Sequence, residues 1–297
     1  MSILALSNIH RSFEPGVPVL GGVDLTVETG EVVGLLGRNG AGKTTLLRIA
    51  MGMLHQQKGS VEVLGLDPHR QPVEVKSRLG YVSEDQILPT FLRVREVVDL
   101  HRSVFPSWDD DMARELVRRF AIRPNAKIKT LSKGQARQVA LLCALCHRPE
   151  LLLLDEPAGG LDAFARREFL ETSIQALSDT GTTIVFSSHY LSDVERLADR
   201  VVMLHDAKVL IDSSMDELHE SFSIALVPHR PQGTSDALLS LPECLGVRVR
   251  TDAVHAVFRL DPDDACALIA QKLGVTDALC RTAGLEEMFI EIAGGER

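Results

Sequence analysis

Two short stretches of this chain carry the residue types that phosphate chemistry requires. Gly37-Arg38-Asn39-Gly40-Ala41-Gly42-Lys43-Thr44 satisfies the pattern G-x-x-x-x-G-K-[ST] in full. Glycines in such a loop let successive backbone N–H groups wrap a phosphate chain, and the N-terminus of a following helix adds its positive end. Lys43 is then placed to reach the β- and γ-phosphates, and the Thr44 hydroxyl to ligate Mg²⁺. Gly37, Asn39, Gly40, Ala41, Gly42, Lys43, Thr44 and Thr45 form the candidate nucleotide-binding set. The second stretch, Leu151-Leu152-Leu153-Leu154-Asp155-Glu156-Pro157, sets two carboxylates at the end of an apolar run. There Asp155 suits the Mg²⁺ side, commonly through water, and Glu156 suits a general base that polarises the water attacking the γ-phosphate.

Such a site needs a strand before the glycine loop and a helix after it. Glu31 to Leu36 reads as a short buried strand, and Leu46 to Met53 as an apolar-periodic helix. Leu151 to Leu154 and Thr183 to Phe186 are continuous apolar runs, the pattern of strands buried on both faces of a parallel sheet. Residues 3–9 and 19–27 alternate apolar and polar, with Pro15-Gly16 and Gly21-Gly22 as turn signals. Between about 90 and 147 the pattern is helical, and Trp108-Asp109-Asp110-Asp111 looks like a cap before a helix from Met112 to Phe120. An α/β core interrupted by a helical subdomain follows. Beyond about residue 220 the character changes. Strands over 224–227, 247–249, 257–260 and 275–280 alternate with helices over 236–241, 264–273 and 285–292. The order β-α-β-β-α-β-α is that of the split βαβ, or ferredoxin-like, motif with one helix appended.

Composition narrows the function class. Of 297 residues, 45% are hydrophobic and 25% charged, the make-up of a soluble globular chain and not of a disordered or fibrous one. Aromatic content is 4%, which leaves few platforms for stacking single-stranded bases. Lys and Arg total 32 against 41 Asp and Glu, a net charge of −9, the opposite sign from a nucleic-acid binder. Five cysteines, an odd number, point to reduced thiols. Cys143 and Cys146 form a C-x-x-C, but inside the apolar run Val139 to Cys146 that spacing is one face of a buried helix. No apolar run approaches the ~18 residues needed to cross a bilayer. The N-terminus lacks the basic region and cleavage site of a signal peptide. A role at a membrane would therefore require another chain to span it.

Leu131-Ser132-Lys133-Gly134-Gln135 resembles the LSGGQ signature of ABC ATPases, and it precedes Asp155 as that family arranges it. On residues alone Ser132 reads as a helix N-cap; both readings can hold, because the family's signature sits at a helix start. Ala158-Gly159-Gly160-Leu161-Asp162 looks like the D-loop, and Ser187-Ser188-His189 like the segment of the switch histidine. Phe13 is placed like the aromatic that stacks on adenine, although an aromatic after a strand also suits a core. The resemblance covers roughly residues 3–220. It implies a P-loop ABC-type ATPase core over 1–220, with its helical subdomain at about 88–147, and an accessory α+β domain over 221–297. It further implies ATP and Mg²⁺ as cofactors and Glu156 with His189 as the catalytic pair. Ser132, Gly134, Gln135 and Asp162 would act across a dimer of two ATPase domains, identical or not. One departure stands out. In Tyr81-Val82-Ser83-Glu84-Asp85-Gln86 a glutamate, Glu84, occupies the place of the family's Q-loop glutamine, with Gln86 two residues on. The implied metal set is thus Thr44, Glu84 and Asp155.

Glu84, Lys133 within the signature and the ending Gly284 to Ile292 look like the ATP-binding subunits of ABC-2-type and drug or peptide exporters, whose membrane part is a separate polypeptide. By the same resemblance Leu88 to Glu96 opens the helical subdomain and lines the groove for a helix of that partner; taken alone, Leu88, Phe91 and Leu92 read equally as core. The expectation is an ATPase that drives export from the cytoplasmic face of the cell membrane through an integral membrane subunit, with no nucleic-acid partner. The alternative is a soluble ABC ATPase acting on a macromolecular assembly. Such proteins usually carry two phosphate loops on one chain or a long coiled coil, and neither pattern occurs here.

Overall fold

The computed structural model describes residues 2–84, 88–159, 161, 163–178, 181–229 and 234–294. Two long strands open the chain, β1 (Ser2–Glu14) and β2 (Val17–Glu28), and pair antiparallel. β3 (Val32–Leu36) leads through the glycine loop into α1 (Lys43–Ala50), and β4 (Lys58–Val63) then pairs with the other edge of β1. α1 starts at Lys43, earlier than the periodicity predicts, because the glycine loop itself supplies the helix N-cap at Gly42.

β3 belongs to a second sheet. Its other strands are β5 (Leu79–Val82), β6 (Leu151–Leu154), β7 (Thr183–Ser188), β8 (Arg200–His205) and β9 (Lys208–Ser214), in the order β5-β6-β7-β3-β8-β9. The pairs from β5 through β8 are parallel. Every residue of β6 and β7 is buried, as a parallel sheet covered on both faces requires. α2 (Pro72–Ser77) precedes β5; α3 (Val94–Val104), α4 (Asp110–Arg119) and α5 (Lys133–Leu145) intervene before β6. α6 (Ala163–Ser178) and α7 (Leu191–Leu197) make the next two crossovers. α3, α4 and α5 form the helical insertion between β5 and β6. Cys143 and Cys146 are buried at 3% and 0% exposure on α5. Burial pushes the Cys143 thiol up to about 12 and raises that of Cys146, which makes both inert core residues.

Sequence patterning does not reveal the β8–β9 hairpin. Its turn residues Asp206 and Ala207 have φ of 46° and 63°, the left-handed pair that an Asp-Gly or Asn-Gly would advertise and an Asp-Ala does not.

The chain divides into two compact units after Val209, inside β9, earlier than the change of character at 220 suggests. The second unit contains α8 (Met215–Ser221), β10 (Ser223–Val227), α9 (Thr234–Leu239), β11 (Cys244–Val249), β12 (Val254–Phe258), α10 (Pro262–Leu273), β13 (Leu279–Thr282) and α11 (Leu285–Gly294). Its antiparallel sheet runs β11-β12-β10-β13, so the first strand lies between the third and the fourth, as the ferredoxin-like motif demands. Val227, Leu238, Phe258 and Ile269 are among its core residues. β13 begins later than predicted. Gly274 ends α10 in the left-handed conformation, and Val275 turns into the core instead of starting the strand.

The acidic cap expected near Trp108 is Asp109. Its carboxylate accepts from Met112 N at 2.9 Å and from Arg148 Nε at 2.7 Å. The bond from Met112 N, seconded by Arg148, holds its carboxyl below the ordinary value of 3.8. A depressed folded-state value contributes stability above the unfolded pKa and loses it as pH falls through the folded one. Asp109→Ala should therefore cost about 1 kcal/mol at pH 7. The urea midpoints of variant and parent should converge below about pH 4.

Candidate active site

The glycine loop leaves the carboxyl end of β3, the end at which open parallel sheets bind ligands. Gly42 has φ of 102°, and a Cβ there would stand 2.8 Å from Val19 O. A Cβ on Gly37 would stand 2.8 Å from Leu204 O. Both positions exclude any side chain. No side chain caps α1 at Gly42, so the first N–H groups of the helix point into the loop available for an anion.

Lys43 is 6% exposed. Its Nζ donates to Gly37 O at 2.7 Å and pairs with Glu156 Oε1 at 3.3 Å. From the other side, His189 Nδ1 lies 2.7 Å from Glu156 Oε2. Glu156 is 7% exposed and adopts φ of 45°, a conformation that costs a non-glycine residue free energy and persists only where neighbours impose it. The neighbour is Ser187, whose Oγ accepts from Glu156 N at 2.8 Å. The same hydroxyl donates to Asp155 Oδ1 at 3.0 Å. Thr44 Oγ1 donates to that oxygen too, at 2.9 Å. Asp155 thus ties α1, β6 and β7 together. Burial and the Asp155 charge push the nearby Tyr81 phenol up to about 12. Sequence reasoning names Ser187 only within the segment before His189 and gives it no role; the available signal is a hydroxyl at the end of an otherwise apolar buried run.

A cavity of about 390 Å³ opens over these groups. Its wall includes Asn39, Gly40, Ala41, Gly42, Lys43, Thr44 and Thr45 of the loop, with Glu84, Glu156, His189 and Phe13 around them. Phe13 is 60% exposed, so it is no core residue. The Arg11 guanidinium lies 4.9 Å from its ring centroid and also donates to His55 O at 3.1 Å, bracing the ring at the cavity edge. Glu84 is exposed on the wall, and its backbone oxygen accepts from Arg137 Nη2 at 3.2 Å. Among the described residues no three carboxylate, imidazole or thiol side chains converge as a metal cluster. Glu84 lines the same cavity as Thr44. Thr44 Oγ1 and Asp155 Oδ1, two hard oxygen donors side by side, fit the ligand preference of Mg²⁺.

The signature residues lie elsewhere on the chain. Ser132 caps α5, accepting from Gln135 N at 3.2 Å, while Gln135 Oε1 accepts from Ser132 N at 3.1 Å. This is a reciprocal capping box. A Cβ on Gly134 would stand 3.2 Å from Leu161 Cδ2, a tight approach. Ser132, Gly134 and Gln135 do not line the cavity of their own chain. Asp162 and Gln86 lie outside the described residues. Of the apolar residues after the Q-loop position, Leu88 is buried, Leu92 is half-buried and Phe91 is 76% exposed.

The ABC transporter family pattern matches residues 20–159. The chain is 35% identical over 220 residues to the ABC transporter ATP-binding protein YtrB of Bacillus subtilis, covering 74% of this chain and 75% of that protein. It is 31% identical over 294 residues to the daunorubicin resistance ATP-binding protein DrrA3 of Streptomyces coeruleorubidus, covering 94% and 92%. The second match takes in the C-terminal unit. A solved structure described as the ATP binding subunit of an ABC transporter superposes with a TM-score of 0.66 and 27% identity, over 73% of this chain and 92% of that one.

Gly42→Ala places a methyl group against Val19 O and forces a left-handed φ on alanine. ATP affinity should fall by about tenfold or more, since each 1.4 kcal/mol of loop strain is one decade. Titration with a fluorescent ATP analogue reads this directly, and parent-like affinity would contradict the close approach.

Proposed function

This chain belongs to the ABC transporter family as an ATP-binding ATPase subunit, and from that premise we propose that it powers export through a separate integral membrane subunit. The observation that carries the catalytic part is Glu156, held at the mouth of the cavity between Lys43 and His189. An arriving γ-phosphate competes with Glu156 for Lys43. Glu156 Oε1 is then free to accept the proton of the attacking water as the bond from the γ-phosphorus to the ADP oxygen breaks. His189 keeps hold of Oε2 and so fixes the plane of the carboxylate. Thr44 and Asp155 would hold Mg²⁺, which would supply charge neutralisation to the phosphates. Phe13 offers its exposed face to the base.

Ser132, Gly134, Gln135 and Asp162 act on the nucleotide of a second ATPase domain, in a head-to-tail pair closed by ATP. The separation of the capping box from its own cavity supports this reading. Glu84 faces the cavity as a metal-side carboxylate in place of an amide. Export is supported by that residue and by similarity along 94% of the chain to a daunorubicin resistance ATP-binding protein. Phe91, Leu100 and Val104, 76%, 50% and 63% exposed at and along α3, offer apolar surface to the membrane subunit. No helix among the described residues is long and apolar enough to cross a membrane, so the chain would sit peripherally on the cytoplasmic face through that partner.

Glu156→Gln should bind ATP normally and lose turnover by about 10²–10⁴, the range of general-base catalysis. In that background light scattering should report an ATP-dependent dimer that Ser132→Arg abolishes, and the parent chain should co-purify with an integral membrane polypeptide. Co-purification with a soluble assembly alone would favour the non-transport alternative. Glu84→Gln should retain ATPase activity with a shifted Mg²⁺ dependence, whereas Glu84→Ala should weaken hydrolysis. A Glu84→Ala variant matching the parent in rate and metal titration would remove Glu84 from the site.

A further inference from the structure

His189 has 39% of its side chain exposed, so burial does not fix its ring. Two neighbours do. Glu156 Oε2 meets Nδ1 at 2.7 Å, and the ring of Tyr190 packs against the imidazole at 4.0 Å between centroids, the two planes tilted by 38°. Tyr190 is held in turn. Its backbone N donates to Ser188 Oγ at 3.0 Å, and the Arg166 guanidinium packs 3.7 Å from its ring centroid. Arg166 belongs to α6 and pairs through Nε with Asp193 Oδ2 of α7 at 3.3 Å. Both side chains of that pair are largely shielded, at 16% and 11% exposure. A row of contacts therefore runs from Asp193 through Arg166 and Tyr190 to His189 and ends on Glu156. Arg166, Tyr190 and Asp193 do not line the cavity.

We propose that Arg166 and Tyr190 are positioning residues for hydrolysis, anchored by Asp193, which set the His189 ring so that its Nδ1 meets Glu156. The proposal rests on the catalytic reading of Glu156 and His189 given above. Its physical basis is a stacked guanidinium and phenol ring, a contact with a preferred geometry that an aliphatic packing residue would not impose.

The test uses the full-length chain. Tyr190→Leu and Arg166→Gln, which keep side-chain bulk, should each lower kcat by about tenfold or more with KM for ATP changed less than about twofold, the cost of a misplaced group in a formed site. Tyr190→Phe keeps the ring face and should hold the parent kcat. In a His189→Ala background, Tyr190→Leu and Arg166→Gln should change kcat by less than about twofold, because coupled residues are not additive. Undiminished losses in that background, or losses in Tyr190→Phe equal to those in Tyr190→Leu, would overturn the proposal. Imidazole proton resonances give a readout free of turnover. The His189 signal, assigned by its loss in His189→Ala, should shift in Tyr190→Leu and Arg166→Gln and stay in place in Tyr190→Phe. A His189 signal unmoved by Tyr190→Leu or Arg166→Gln overturns the positioning role whatever the kinetics. A His189→Ala variant with parent kcat instead counts against the Glu156–His189 reading, and the resonance shift then decides the positioning role by itself.

Discussion

A carboxylate shielded from water must be paired, and much of the ATPase core is arranged around pairing one. Glu156 has Lys43 on one oxygen and His189 on the other. Those two partners arrive from the ends of different strands, β3 through the glycine loop and β7 through its last residues. Only a parallel sheet with β6 beside β7 and β7 beside β3 delivers all three groups to one edge. The cost of leaving such a charge unpaired is several kcal/mol, comparable with the whole stability of a domain. The strand order is therefore coupled to the charge arrangement.

Asp155 does the complementary work of holding the frame. One of its oxygens accepts from Thr44 on α1 and from Ser187 on β7, and Ser187 in turn satisfies the amide of the strained Glu156. The capping box of Ser132 and Gln135 is a local device of a different kind, which shapes a helix start without reference to the cavity of its own chain.

What the sequence discloses follows from how local each feature is. The phosphate loop is legible because all its parts lie within eight consecutive residues, and the buried strands because their runs are unbroken. The ferredoxin-like unit is legible because its short apolar strands and its helices are set off by Pro and Gly punctuation. Ser187 is not legible, because its importance depends on which strand lies next to β6. The β8–β9 hairpin is missed because Asp-Ala carries no glycine to mark a left-handed turn. Phe13 is ambiguous until its exposure is known.

The turn that escaped the sequence has a mechanical consequence. Ala207 O accepts from Gly21 N at 2.7 Å, which fastens the hairpin tip to β2, the partner of the strand that carries Phe13. Gly37 closes on Leu204 O and Gly42 on Val19 O, so backbone meets backbone at two further points with no side chain between. Contacts of this kind do not stretch. They turn two sheets into the jaws of a calliper, with the aromatic ring on one jaw and the phosphate cradle on the other at a fixed gauge. On the reading of Phe13 as the seat of the base, such a gauge would measure a nucleotide by the reach from its base to its phosphates.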